Sequence, residues 1–148
     1  MSGPTLSADE LARATATAMF ARDRASRDLG MRIEEMRAGY ARMSMTVRPD
    51  MINGHDVCHG GFIFTLADST FAFACNSHNQ NTVAAGALID FLAPGREGDV
   101  LTAQAQEQSL AGRTGVYDVE VTNQAGTRIA LFRGRSYRIR GEVINPTR

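Results

Sequence analysis

The sequence predicts an α+β fold in which a six-stranded antiparallel sheet curves around one long central helix, with an extra helix at the N-terminus. Three observations predict it. Between Phe62 and Cys75 the apolar side chains cover nearly the whole circumference of a helix, so that helix is buried. On either side of it the hydrophobic pattern is the alternation of strands, in two runs before it and four after. The four later runs follow one another with no helix between them, which excludes the parallel crossovers of a doubly wound sheet.

The first helix opens at Ser7-Ala8-Asp9-Glu10, where Ser and Glu stand three apart and can satisfy each other's orphan N–H groups as a capping box. It is expected to run from Ser7 to Leu29 with a weak apolar face of Leu11, Ala18, Met19 and Ala25, mostly exposed, and to stop at Gly30. From Met31 alternation sets in. Met31, Ile33 and Glu35 share one side, and Ala41, Met43, Met45 and Val47 then alternate with Arg42, Ser44, Thr46 and Arg48. Two half-buried strands joined near Ala38-Gly39 account for this. Pro49-Asp50 ends the second strand and Asn53-Gly54 marks a turn, so Met51 to His59 is loop.

Gly60-Gly61 opens the buried helix, whose one polar stripe is Thr65, Asp68, Ser69 and Asn76. Beyond Asn79-Gln80-Asn81, strands are expected over Val83 to Leu92, Val100 to Leu110, Gly115 to Asn123 and Thr127 to Ile139. Pro94-Gly95, Gly112-Arg113 and Gln124-Ala125-Gly126 punctuate them, and the last three are antiparallel neighbours by the shortness of their connections. Six strands around one helix make the hotdog arrangement. The expected boundaries are an N-terminal helical extension over 1–30, a single hotdog domain over 31–141 and a tail over 142–148.

Composition bounds the function. The 148 residues suit one domain, and 43% apolar with 22% charged residues describes a chain that folds. Sixteen basic residues balance sixteen acidic ones, so no global field recruits nucleic acid or an anionic membrane. Every basic residue is Arg, which excludes Schiff-base and P-loop lysine chemistry. Cys58 and Cys75 make no C-x-x-C pair and no disulfide framework, and no stretch nears the roughly 20 apolar residues that span a bilayer. A cytoplasmic location is expected.

Two features carry chemistry. A helix beginning at Gly60-Gly61 presents free N–H groups and the positive end of its dipole, suited to a phosphate or to the oxyanion of an acyl intermediate. Asp68, in an otherwise apolar helix, must be paired, neutralised or functional. The eight residues from Gly60 to Asp68 span about 12 Å of helix, so one chain cannot bring both to a single carbonyl. If both act there, Asp68 of one subunit faces Gly60 of another across a two-fold axis. Asn53, His55, Cys58 and His59 cluster just before the helix, but no second ligand pair follows, so no metal is expected. Cys58 and His59 are adjacent and do not aim at one point as a nucleophile pair. Asn53 either donates to a substrate carbonyl or forms the turn, and His59 holds the loop. Phe62, Phe71, Phe73 and Phe91 read as core.

The segments Asn53-Gly54-His55-Asp56-Val57-Cys58-His59-Gly60-Gly61 and Leu66-Ala67-Asp68 resemble the active-site signature of the hotdog thioesterases of phenylacetate degradation, the PaaI type. Phe71 to Asn76, Ile89 to Gly95, Thr114 to Asp118 and Leu131 to Gly134 extend the resemblance over about 31 to 141. It implies hydrolysis of aryl-acyl-CoA thioesters, phenylacetyl-CoA or hydroxyphenylacetyl-CoA, in aromatic catabolism. It also implies a homotetramer of dimers with the site shared between subunits, and no cofactor beyond the CoA of the substrate. Carried over by position, Asp68 is general base or nucleophile, Gly60 gives an oxyanion N–H, and Asn53 and His59 orient the thioester and the loop. Gly61 becomes a second backbone contributor. Thr65 and Ser69, beside Asp68 on the polar stripe, are substrate-binding candidates, as is Arg113, with Arg133 and Arg135 also available to CoA phosphates. Some relatives carry a Ser or Thr on the strand after the helix to hold the water. Here Val83 to Ala87 offers none, and Thr82 lies just outside. The alternatives are a hotdog hydratase or dehydratase and a non-catalytic acyl-CoA binding module.

Overall fold

The computed structural model describes residues 5–146; residues 1–4 and 147–148 of the expected terminal segments lie outside the described residues. Six strands form one antiparallel sheet: β1 (Arg32–Arg37), β2 (Tyr40–Thr46), β3 (Gln80–Phe91), β4 (Val100–Ala111), β5 (Thr114–Thr122) and β6 (Arg128–Glu142). Their order is β1-β2-β4-β5-β6-β3, so the neighbours expected among the last three are observed, and β3 returns to pair with β6 at the far edge. This is the hotdog fold.

The capping box forms: Ser7 Oγ accepts from the Glu10 N–H at 3.1 Å while the Ser7 N–H donates to Glu10 Oε1 at 3.0 Å, opening α1 (Ala8–Arg22). The helix expected to reach Leu29 instead breaks at Asp23. That carboxylate accepts from the Ser26 N–H at 2.9 Å and starts a short α2 (Arg24–Asp28). A short polar side chain competes with the helical ladder for backbone donors, so Asp restarts a helix more readily than it continues one. α1 buries Ala12, Thr15 and Ala16 rather than Leu11 and Ala18, and these small side chains let it lie on β1. Phe20 reaches beyond them to a ring contact with Phe73 at 6.2 Å.

Three strand details differ from expectation. A bulge between Ile33 and Glu35 flips the inward side of β1, so Met36 is buried while Glu35 turns to Arg37 and Arg42 at 3.1 and 3.5 Å. β3 starts three residues before Val83, because Asn79 at φ 63° closes the preceding turn. β6 runs on to Glu142, where the Asn79 side chain holds Ile144 through two hydrogen bonds of 2.8 and 3.0 Å.

The long apolar helix α3 (Gly60–Cys75) lies against the inner face of the sheet. Leu66, Ala67, Phe71, Phe73 and Ala74 are buried on Met43, Met45, Leu101, Ala103, Val119 and Phe132. Each large side chain withdrawn from water here contributes about 1.5–3 kcal/mol. The Phe71 ring packs between Tyr117 and Phe132, at 5.6 and 5.8 Å. It also lies flat on Gly134, where a Cβ would come within 2.7–2.8 Å of the ring, so only glycine lets α3 approach β6 this closely. Phe71 and Phe73 are core as expected, and no helix among the described residues is long and apolar enough to cross a membrane.

Candidate active site

The loop before α3 is built by its own side chains. Asn53 Oδ1 accepts from the N–H groups of His55 and Val57 at 2.9 and 3.3 Å, an Asx turn that brings the chain back on itself. Two backbone bonds pin it, from the Cys58 N–H to Gly95 O at 2.7 Å and from the His59 N–H to Met51 O at 2.8 Å. The Asn53 side-chain N–H2 makes no hydrogen bond among the described residues and remains free to donate.

His59 is the N-cap of α3. Its Nδ1 accepts from the Gly61 N–H at 2.9 Å and its carbonyl from the Phe62 N–H at 2.9 Å. Among the described residues the Gly60 N–H has no acceptor, so it is the amide that the helix head offers to a ligand, with the dipole behind it. Since Nδ1 accepts, the ring proton sits on Nε2 at the exposed edge.

Asp68 lies two turns further on. It is half-buried and makes no hydrogen bond or ion pair among the described residues, and burial raises its carboxyl above the ordinary aspartate value. An unpartnered carboxylate of raised proton affinity is suited to take a proton from water or to attack a carbonyl.

The chain is similar to known thioesterases over most of its length. Residues 55–130 match the model of the thioesterase superfamily. The acyl-coenzyme A thioesterase PaaI of Escherichia coli (strain K12) is 49% identical over 128 residues, 86% of this chain and 91% of that protein. The chain belongs to the thioesterase superfamily. A putative esterase of Archaeoglobus fulgidus is 41% identical over 129 residues, 87% of this chain and 83% of that protein. The solved structure of the E. coli PaaI protein from the phenylacetic acid degradation operon superposes with a TM-score of 0.91 at 48% identity, covering 92% of this chain and 99% of that one.

The remaining candidates of this thioesterase fall into place by their contacts. Gly61, expected as a second oxyanion donor, has its N–H engaged by His59. Thr65 Oγ donates back to Gly61 O at 2.7 Å, inside its own helix. Ser69 turns away from Asp68 toward α2, where its hydroxyl meets Ser26 Oγ at 2.8 Å. Asn76 closes the other end of α3, its amide bonding both ways with the Thr82 backbone at 3.0 Å, and the Thr82 hydroxyl donates to Gln80 O at 2.8 Å.

Among the arginines, Arg133 makes a bidentate pair with Asp118 at 2.6 and 2.9 Å, while Arg113 is exposed and donates to Arg138 O at 3.3 Å. Burial pushes the thiols of Cys58 and Cys75 up, Cys75 to about 12, so neither is poised as a nucleophile. Among the described residues no three His, Cys, Asp or Glu side chains converge as a metal site.

Phe91 departs furthest from expectation. Read as core, it is 53% exposed at the end of β3, with its ring against Gly60. It joins Val57, Ile63, Leu92, Ala93 and Pro94 around a recess of about 400 Å³ at the helix head. Its place before Leu92-Ala93-Pro94-Gly95 is the available sequence signal, because a proline that ends a strand leaves the last side chain at the sheet's rim.

Proposed function

We propose that this thioesterase hydrolyses aryl-acyl-CoA thioesters, phenylacetyl-CoA or a hydroxyphenylacetyl-CoA, to the free acid and CoA in the breakdown of aromatic acids. The observation that carries the reading is the pairing on one helix of an unengaged Gly60 N–H with a half-buried, unpartnered Asp68. The substrate class follows from the similarity to PaaI, named as an acyl-coenzyme A thioesterase and as part of a phenylacetic acid degradation operon.

The thioester oxygen accepts from the Gly60 N–H, and the Asn53 amide and His59 Nε2–H orient the group. Asp68 removes a proton from water as the water oxygen bonds to the carbonyl carbon, and the tetrahedral oxyanion is held at the helix head. The C–S bond then breaks, and the CoA thiolate leaves and is protonated. In the nucleophilic variant an Asp68 oxygen bonds to that carbon first, the C–S bond breaks with loss of the CoA thiolate to give a mixed anhydride, and water later opens it at the Asp68 carbonyl. Single-turnover hydrolysis in heavy-oxygen water separates the two, since only the second places label in Asp68. The chemistry needs no cofactor, because CoA arrives with the substrate.

Gly60 and Asp68 stand about 12 Å apart along α3, so the site is completed by a second copy in a two-fold homodimer. The free edge of β3 supports this, with Val83 46% and Leu88 68% exposed along it. Two such dimers make the homotetramer. The setting is the cytoplasm, where CoA esters are handled and free thiols such as Cys58 and Cys75 persist.

The test is release of free CoA from phenylacetyl-CoA, its hydroxylated forms and a straight-chain acyl-CoA, by the native protein and by Asp68→Asn. The aryl esters should be preferred and the variant slower by about a hundred- to ten-thousand-fold with the assembly intact. If neither protein releases CoA while both bind the esters, the reading is wrong.

A further inference from the structure

We infer that Phe91 is the specificity-determining wall of the acyl subsite and that it works as a unit with Gly60. The inference rests on the thioesterase reading above and deepens it.

The Phe91 Cζ and Cε1 atoms lie 3.0 and 3.2 Å from the point where a Cβ on Gly60 would stand. A Cβ at 60 would therefore crowd the ring by a few tenths of an ångström, so glycine and ring are already in close contact before any ligand arrives. The Phe91 backbone is held opposite Ala130 in β6, and the Leu92 N–H donates to Ile129 O at 2.8 Å, so the ring is presented from a rigid strand end. A phenyl ring kept at a surface and packed on Gly60 at the helix head is placed to meet a ligand there.

The recess beside it holds no charged side chain; Val57, Ile63, Leu92, Ala93 and Pro94 complete its walls with Cys58 and Gly60. A recess of about 400 Å³ walled mostly by apolar side chains suits the aryl acyl group better than the amide-bearing pantetheine arm, which would find few side-chain hydrogen-bond partners on these walls. The ring then does two things. It offers the acyl ring an aromatic contact. It also keeps water from the Gly60 N–H, which strengthens the hydrogen bond to the developing oxyanion.

The experiment is kcat/KM for phenylacetyl-CoA and for hexanoyl-CoA with the native protein, Phe91→Leu and Phe91→Ala, and with Gly60→Ala in the native and Phe91→Ala backgrounds. The preference for the aryl over the alkyl ester should fall about tenfold or more in Phe91→Ala. Phe91→Leu keeps apolar bulk and should fall less, while holding the fold. Gly60→Ala keeps the N–H, so its loss of activity reports the collision with the ring. That loss should shrink at least tenfold once Phe91 is Ala. An unchanged aryl-to-alkyl ratio in both Phe91 variants overturns the specificity role, and an equal penalty for Gly60→Ala in both backgrounds overturns the unit. A native protein that hydrolyses neither ester would instead strike the proposed function, so the two failures are distinguishable.

Discussion

Glu107 sits beyond the C-terminal end of α3 and holds two partners on one oxygen: the Tyr117 hydroxyl donates to its Oε1 at 2.7 Å, and His78 Nε2 lies at 2.7 Å from the same atom. Tyr117 is fully buried, whereas the side chains of His78 and Glu107 are 30% and 26% exposed. Replacing Glu107 by Ala strands the Tyr117 hydroxyl in the core. That costs about 1–3 kcal/mol, and the half-screened His78 contact adds at most about 1 kcal/mol. Tyr117→Phe removes the hydroxyl with its need for a partner and should cost only about 0.5–1.5 kcal/mol. In the Tyr117→Phe background the Glu107→Ala penalty should therefore shrink to about 1 kcal/mol or less, a coupling of about 1–3 kcal/mol.

The sign with pH follows from the same contacts. Burial pushes the Glu107 carboxyl up, but the hydrogen bonds from Tyr117 and His78 outweigh it and hold the group below its ordinary value. Its stabilisation is then whole above the ordinary glutamate range and is lost as pH falls through the lowered folded value. Chemical denaturation of the native, single and double variants across the acid range measures both effects. Equal Glu107→Ala penalties in the two backgrounds, or an acid limb as steep in the variant as in the native protein, would refute the reasoning.

Asp68 has the opposite sign. Burial raises its carboxyl, so between the ordinary aspartate value and the raised one the folded state binds more protons than the unfolded, and above that window the ionised group destabilises. Asp68→Asn should melt higher than the native protein at neutral pH, with the gap closing in acid; a lower melting temperature at neutral pH contradicts the assigned burial. Ser26, 1% exposed, donates its single hydroxyl proton to Asp23 Oδ2 at 2.6 Å and so must accept from Ser69 at 2.8 Å. Ser26→Ala should cost about 1–2 kcal/mol in equilibrium unfolding and lower kcat more than it changes KM, because Ser69 adjoins Asp68; unaltered stability would sink the link.

Features that depend on residues near one another along the chain are legible in the sequence. Alternation located all six strands to within a few residues at each end, and the apolar run after Gly60-Gly61 located the central helix, because periodicity is set by neighbours three, four or two apart. The capping box at Ser7 is equally local. Gly60 and Asp68 were legible as chemistry because a glycine-opened helix head and a lone carboxylate in an apolar helix are each anomalous where they stand.

Other features arise from contacts between distant segments. The β1 bulge became visible only against β2, and the pairing of β3 with β6 joins strands separated by two others in sequence. Ser69 was drawn from the substrate side to Ser26, 43 residues earlier, by a hydroxyl needing a donor inside a dry contact. Gly61 surrendered its N–H to the imidazole of His59, two residues away, which caps the helix. Phe91 became a wall rather than core because the β3 rim meets the head of α3. Burial and hydrogen-bond assignment are competitions among all groups that the fold brings within a few ångströms, and a pattern along the chain does not contain the competitors.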